Sequence, residues 1–160
     1  MTKWFTILLL TLIPTLLPAK DLTQGKFGLG LYLGGPTLGL YGDIPTGPKN
    51  NVNVMMTFTG HYFYMHGDYL WNWPVSEEVE SFKLYAGPGM ELASINEGQL
   101  YWGKDEAFAS FQFGLRGVVG IRISLPKIPL GFNLQFSPVF MLSPKIMLVP
   151  SGGAGLRYYF

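Results

Sequence analysis

From residue 27 onward the chain alternates, a large apolar side chain followed by a small or polar one, in segment after segment. A period of two places successive side chains on opposite faces of an extended backbone, so each such segment predicts a β-strand with one apolar and one polar face. In KFGLGLYLG, Phe27, Leu29, Leu31 and Leu33 share a face, against Gly28, Gly30 and Tyr32. TLGLYGDI sets Leu38, Leu40 and Ile44 against Gly39, Tyr41 and Asp43. The pattern returns with Val52, Val54, Met56 and Phe58, then in HYFYMHGDYLWNW, FKLYAGPGMEL, FASFQFGLRGVVGIRISL, LGFNLQFSPVFML and the closing GAGLRYYF. Eight strands are predicted, joined by GGP, PTGPKN, Gly60, the acidic stretch PVSEEVES, NEGQLYWGKDE, PKIP and SPKIMLVPSG. Pro88 and Pro138 fall inside strands, where a missing donor predicts bulges, kinks or breaks.

Eight strands that each bury only one face must close on themselves or pack against something apolar. Charged residues make up 13% of the chain, about half the usual share, while aromatics reach 16%. The only long apolar run, Trp4 to Leu17, follows the single cation Lys3 and ends near Ala19. It is shorter than the roughly twenty residues of a spanning helix and contains Pro14, so residues 1–19 read as a cleaved secretory signal. Residues 20–160 are then one exported domain, with ten basic residues balancing ten acidic once Lys3 is gone. That balance gives no footprint for nucleic acid. The absence of cysteine excludes disulfides and thiolate metal sites. Low charge, export and period-two strands together predict an all-β fold, an eight-stranded antiparallel transmembrane β-barrel with up-and-down meander order, in the cell outer membrane.

The polar faces decide which way the barrel faces. They carry glycine, asparagine, glutamine and all three arginines, with little of the lysine and glutamate that solvate a protein exterior. The expected phase is therefore large apolar side chains outward into lipid, small and charged ones inward. Aromatics cluster at strand ends in two sets, as at two lipid–water interfaces: Phe27, Trp71, Trp73, Phe82, Tyr158 and Phe160 at one rim, Phe58, Phe63, Phe111 and Phe140 at the other.

The inward faces collect Asp43, Asp68 and Glu91 against Lys83, Arg116, Arg122 and Arg157, with His66 beside them. Ions inside so narrow a barrel must be paired, so these residues predict a salt-bridged plug that fills the lumen. The competing reading is a narrow channel along the same charges. Catalysis would need a nucleophile such as Ser110 or Ser137 within reach of His66 and Asp68, and two histidines without clustered ligands make no metal site. No enzyme activity, catalytic residue, metal or cofactor is expected. Tyr101 and Trp102, in the longest loop, are candidate contacts for an extracellular protein or glycan, or interfacial anchors.

GLGLYLGGPTLGLYGDI, HGDYLWNW, PLGFNLQFSPVFMLSP and GGAGLRYYF together resemble the small OmpA-like and OmpX-like outer-membrane β-barrels of spirochaetes and related bacteria. The resemblance implies an eight-stranded barrel with a structural or surface-interaction role, embedded in outer-membrane lipid. In some members a host protein is bound through the loops, although this chain's early loops are short for that. The last block also resembles the signal read by the barrel assembly machinery, with Gly155, Tyr158 and Phe160 as its carriers. The alternative functions are an OmpW-like narrow channel or hydrophobic-ligand conduit, and, third, a lipid A-modifying enzyme; the chain lacks the His-x-Ser motif of the deacylases.

Overall fold

The structure, a computed structural model, describes residues 25–34, 37–58, 62–76, 79–95, 111–125 and 128–160. The signal segment, the turns at 35–36 and Gly60, and the loop at 96–110 with Tyr101 and Trp102 lie outside the described residues. The described residues form β1 (Gly28–Gly34), β2 (Thr37–Pro45), β3 (Asn50–Phe58), β4 (Tyr62–Ser76), β5 (Val79–Ile95), β6 (Phe111–Ser124), β7 (Leu130–Phe136), β8 (Val139–Ser143), β9 (Met147–Val149) and β10 (Gly152–Tyr159). All pairings are antiparallel. The sheet runs β5-β4-β3-β2-β1-β10-β7-β6, and pairing of β6 with β5 closes it.

These segments make eight staves, because β7 with β8 and β9 with β10 are each one strand interrupted. β7 pairs Phe136 with Val119 of β6, and β8 resumes the same frame with Val139 against Arg116. On the other side Phe136 pairs with Gly152 and Val139 with Val149, again in one frame. Pro138 and Pro150 remove donors at neighbouring points of the two staves, and Ser137 N donates to Ser151 O at 2.8 Å across the gap. A closed eight-stranded meander is the result, as the alternation predicts.

Pro138 therefore breaks its stave, and Pro88 does something milder. β5 runs through Pro88 with Gly117 of β6 opposite it. Towards β4 the pairing lapses between Asp68–Gly89 and Trp71–Ala86, then resumes in the same register. A missing N–H interrupts the ladder on one side only.

Three expectations need correction. PVSEEVES is not simply a loop: β4 continues to Ser76 and β5 starts at Val79, pairing across a register irregularity near Pro74. Acidic residues mark contact with water, which a two-stranded ribbon tolerates as well as a loop does. SPKIMLVPSG, expected as a loop, contains β9, because β8 supplies it a partner. A tilted membrane strand is expected to need about nine to eleven residues, and the middle strands exceed that: β4 has 15, β5 has 17 and β6 has 14. Turn-like composition does not by itself end pairing, which depends on whether the neighbouring strand also continues.

The faces sort cleanly. Leu29, Leu31, Leu33, Leu40, Leu115, Val119, Leu134, Leu156 and their like are exposed, while Tyr32, Tyr41, Met55, Tyr85 and every arginine are buried. Among the described residues thirty large apolar side chains are exposed against twelve buried hydrophobic ones, so the apolar surface lies mainly outside. Their register matters. Met65, Met56, Leu40, Leu31, Leu156, Phe132, Ile123 and Phe82 are successive cross-strand partners, forming one apolar row that winds round the outside. At one rim Phe27 stacks on Phe160 at 6.4 Å, and Tyr158 meets Phe160 edge-on at 5.1 Å. At the other, Phe58 pairs with Phe63, Phe63 with Ser94 and Ser94 with Phe111.

Candidate functional site

The lumen is the chemically distinctive part of the molecule, because it holds six formal charges with almost no access to water. Asp43, Asp68, Glu91, Arg116, Arg122 and Arg157 are all buried, and so is His66. Each stands at an inward position of β2, β4, β5, β6 or β10, placed there by the period-two alternation. Strand pairing then brings residues far apart in sequence to one height. Three carboxylates face three guanidiniums, and they separate into two clusters.

The first cluster lies toward the Phe27 rim. Asp43 Oδ2 is 2.9 Å from Arg157 Nη1 and 3.3 Å from Arg122 Nη1, and it accepts the Tyr159 hydroxyl at 2.9 Å. Its Oδ1 accepts the Asn51 amide. Arg157, completely buried, also donates to Asn53 Oδ1 at 3.4 Å and to Asn133 Oδ1 at 3.2 Å. Its guanidinium lies over the Tyr41 ring at 4.6 Å, where the electron-rich face adds to the attraction. Asn133 in turn donates to the Tyr85 hydroxyl, which donates to Gln135. A chain of neutral amides and phenols thus helps solvate one ion triad.

The second cluster lies deeper, toward the other end. Arg116 Nε is 3.0 Å from Asp68 Oδ1, and its Nη1 is 3.5 Å from Glu91 Oε2. Tyr64 donates to the same Glu91 oxygen at 2.8 Å and accepts from Arg116 at 3.2 Å. His66 stands 3.6 Å from Asp68 through Nε2 and 3.4 Å from Tyr64 through Nδ1. Tyr32 links the clusters, 5.1 Å from the Tyr41 ring and 5.6 Å from His66.

Close packing here needs glycine. A Cβ at Gly89 would run into Asp68 Oδ1, Gly67 O and Arg116 Cγ, and one at Gly155 into Asn133 Oδ1 with the Tyr41 and Tyr32 rings behind it. These glycines are gaps cut to the size of their neighbours' side chains.

Lys83 is placed differently from the other predicted charges. It is half-exposed and lines the open mouth together with Lys26 and Lys49. Gly155 faces inward beside Arg157, while Tyr158 and Phe160 point outward at the rim. Ser137 is completely buried at the break between β7 and β8, and Ser110 lies outside the described residues. Among the described residues no group of three or more metal-ligating side chains gathers.

Sequence reasoning singled out the ions and passed over the neutral groups that make them tolerable. Tyr159, Asn51, Asn53, Asn133, Tyr64 and Tyr85 are as central as the charges. All sit on the inward parity of their strands, so the alternation pointed to them. Leu70 and Val118 are also inside, apolar side chains on the polar parity. No family model, curated protein or solved structure matches this chain, so its function has to be read from the barrel itself.

Proposed function

We propose that this protein is an integral outer-membrane β-barrel whose lumen is sealed by its own side chains, serving a structural or surface-interaction role. The observation that carries this reading is the inverted distribution of side chains on a closed sheet: an apolar exterior around a lumen of paired ions. A monomeric soluble protein rarely exposes an apolar patch larger than a few hundred Å². Here an apolar row winds round the barrel, with aromatic side chains at both rims, and lipid is the solvent such a surface suits. A barrel has no unpaired edge along its closed wall, so its backbone is satisfied within the hydrocarbon.

The lumen supports the sealed reading over the narrow channel. An eight-stranded barrel leaves space for side chains and little else. Tyr32, Tyr41, Met55 and Arg157 occupy that space, each almost fully buried. The ionic clusters act as cross-braces that hold distant staves in register rather than as a path for ions. Catalysis is disfavoured because the hydrogen-bond partner of His66 among the described residues is a phenol and not a nucleophilic hydroxyl.

Residues 1–19 fit this reading as the export signal, and the closing strand as the feature read by the assembly machinery. The resemblance to OmpA-like and OmpX-like barrels belongs to the same proposal. So does contact with an extracellular protein through the loops.

The test has two steps. Full-length mature protein refolded into lipid vesicles should migrate differently boiled and unboiled, and in planar bilayers it should give no steady, reproducible unit conductance. Uniform unit steps would replace the plug by a channel. Identical migration with helical circular dichroism would remove the membrane barrel.

A further inference from the structure

The two ionic clusters are not each neutral, and the imbalance lies beside an opening. In the deep cluster one guanidinium, Arg116, serves two carboxylates, Asp68 and Glu91. In the cluster near the Phe27 rim two guanidiniums, Arg157 and Arg122, share the single carboxylate of Asp43. Asp43 has little capacity left, since its oxygens already take Arg157, Tyr159 and Asn51. Arg122 therefore receives only the 3.3 Å contact through Nη1, while its Nε and Nη2 have no hydrogen-bond partner although the residue is more than nine-tenths buried. Its guanidinium sits over the Tyr85 ring at 5.5 Å, which offers attraction but no acceptor lone pair. A buried cation short of acceptors is costly to leave so.

Arg122 lines a solvent-open recess at the barrel mouth. Lys26, Lys49 and Lys83 line the same recess, and Asp43 is its one acidic residue among the described residues. Lys26 and Lys49 are exposed and make no ion pair among the described residues. Arg122, Lys26 and Lys49 thus converge on one carboxylate that is already engaged. Solvated lysines alone would mean nothing. The buried guanidinium beneath them, which lines the recess and shares its one carboxylate with Arg157, is what distinguishes a site from a charged rim.

We propose that this mouth binds a small oxyanion, a phosphate or carboxylate group. Its oxygens would pair with the Arg122 guanidinium where that residue borders the recess, with Lys26 and Lys49 closing over it as mobile point charges. The ion would supply the negative charge that the rim-side cluster lacks, without adding to the deep cluster, where carboxylates are already in excess. The group can arrive as free phosphate or as the headgroup of an anionic phospholipid, the chemistry at the recess being the same.

The experiment uses the mature chain refolded in uncharged maltoside micelles, with calorimetric titration by inorganic phosphate at fixed ionic strength. A second arm repeats the titration with micelles doped with phosphatidylglycerol, and chloride serves as the control anion. Saturable phosphate binding that chloride does not reproduce is expected. The double variant Lys26→Gln/Lys49→Gln, altered only at exposed positions, should keep its heat-modifiable migration and bind roughly tenfold more weakly. Arg122→Lys should lose binding further. Heat from the phosphatidylglycerol arm alone, reduced in the same variants, also supports the site and assigns its source to lipid. No saturable heat in either arm, an equal response to chloride, or unchanged affinity in the double variant overturns it. Because the binding is read in micelles, its failure leaves the membrane reading intact, and loss of heat-modifiability would report on the barrel instead.

Discussion

Leu31 lies in the middle of β1, half-exposed, with Leu40 and Leu156 as its cross-strand partners on either side. If the outer face meets lipid, Leu31→Arg places a cation near the centre of the hydrocarbon. That costs about 2–4 kcal/mol for a barrel strand at the bilayer midplane. At about 1.4 kcal/mol per factor of ten, the folding equilibrium should fall by about thirtyfold to nearly a thousandfold. If the outer face meets water instead, the same change replaces an exposed apolar side chain with a solvated one, and the effect stays within about 0.5 kcal/mol. Ile146→Arg supplies the depth control. Ile146 is 68% exposed between β8 and β9, beyond the central row, and should cost about 0–1 kcal/mol. The assay is urea unfolding in lipid vesicles, followed by heat-modifiable gel migration. A Leu31→Arg protein no less stable than Ile146→Arg would refute the lipid-facing assignment of the row.

The lumen yields three more expectations. Asp43→Asn removes the carboxylate under the completely buried Arg157 and should destabilise by about 3–5 kcal/mol; a urea midpoint unchanged from the native chain would show that the triad holds nothing together. Gly89→Ala, whose Cβ would meet Asp68 and Arg116, should cost about 1–3 kcal/mol, while Gly117→Ala, with nothing within 4 Å, should be near neutral; equal effects in thermal unfolding would remove the packing argument. Phe160→Ala loses the ring contacts with Phe27 and Tyr158, worth about 0.5–1.5 kcal/mol per aromatic pair. If Phe160 also carries an assembly signal, the variant's level in an outer membrane should fall further than its refolded stability does. Parallel measurement in cells and vesicles separates the two effects.

The period-two alternation, read from side chains alone, determined the strands, the number of staves and which residues point inward. It could do so because a strand admits only two faces, and a side chain's parity fixes which one it takes. Asp43, His66, Asp68, Glu91, Arg116, Arg122 and Arg157 were legible on the inner face for that reason. What parity leaves open is height along the barrel, which depends on the register between strands that can be a hundred residues apart. Only the closed sheet brings Arg157 of β10 against Asp43 of β2, and Arg116 of β6 against Asp68 of β4. The breaks at Pro138 and Pro150, the ribbon beyond Trp73 and the split of the ions into two unequal clusters were decided at the same level. Each depends on what the neighbouring strand offers at that height, and a linear pattern carries no record of its neighbours.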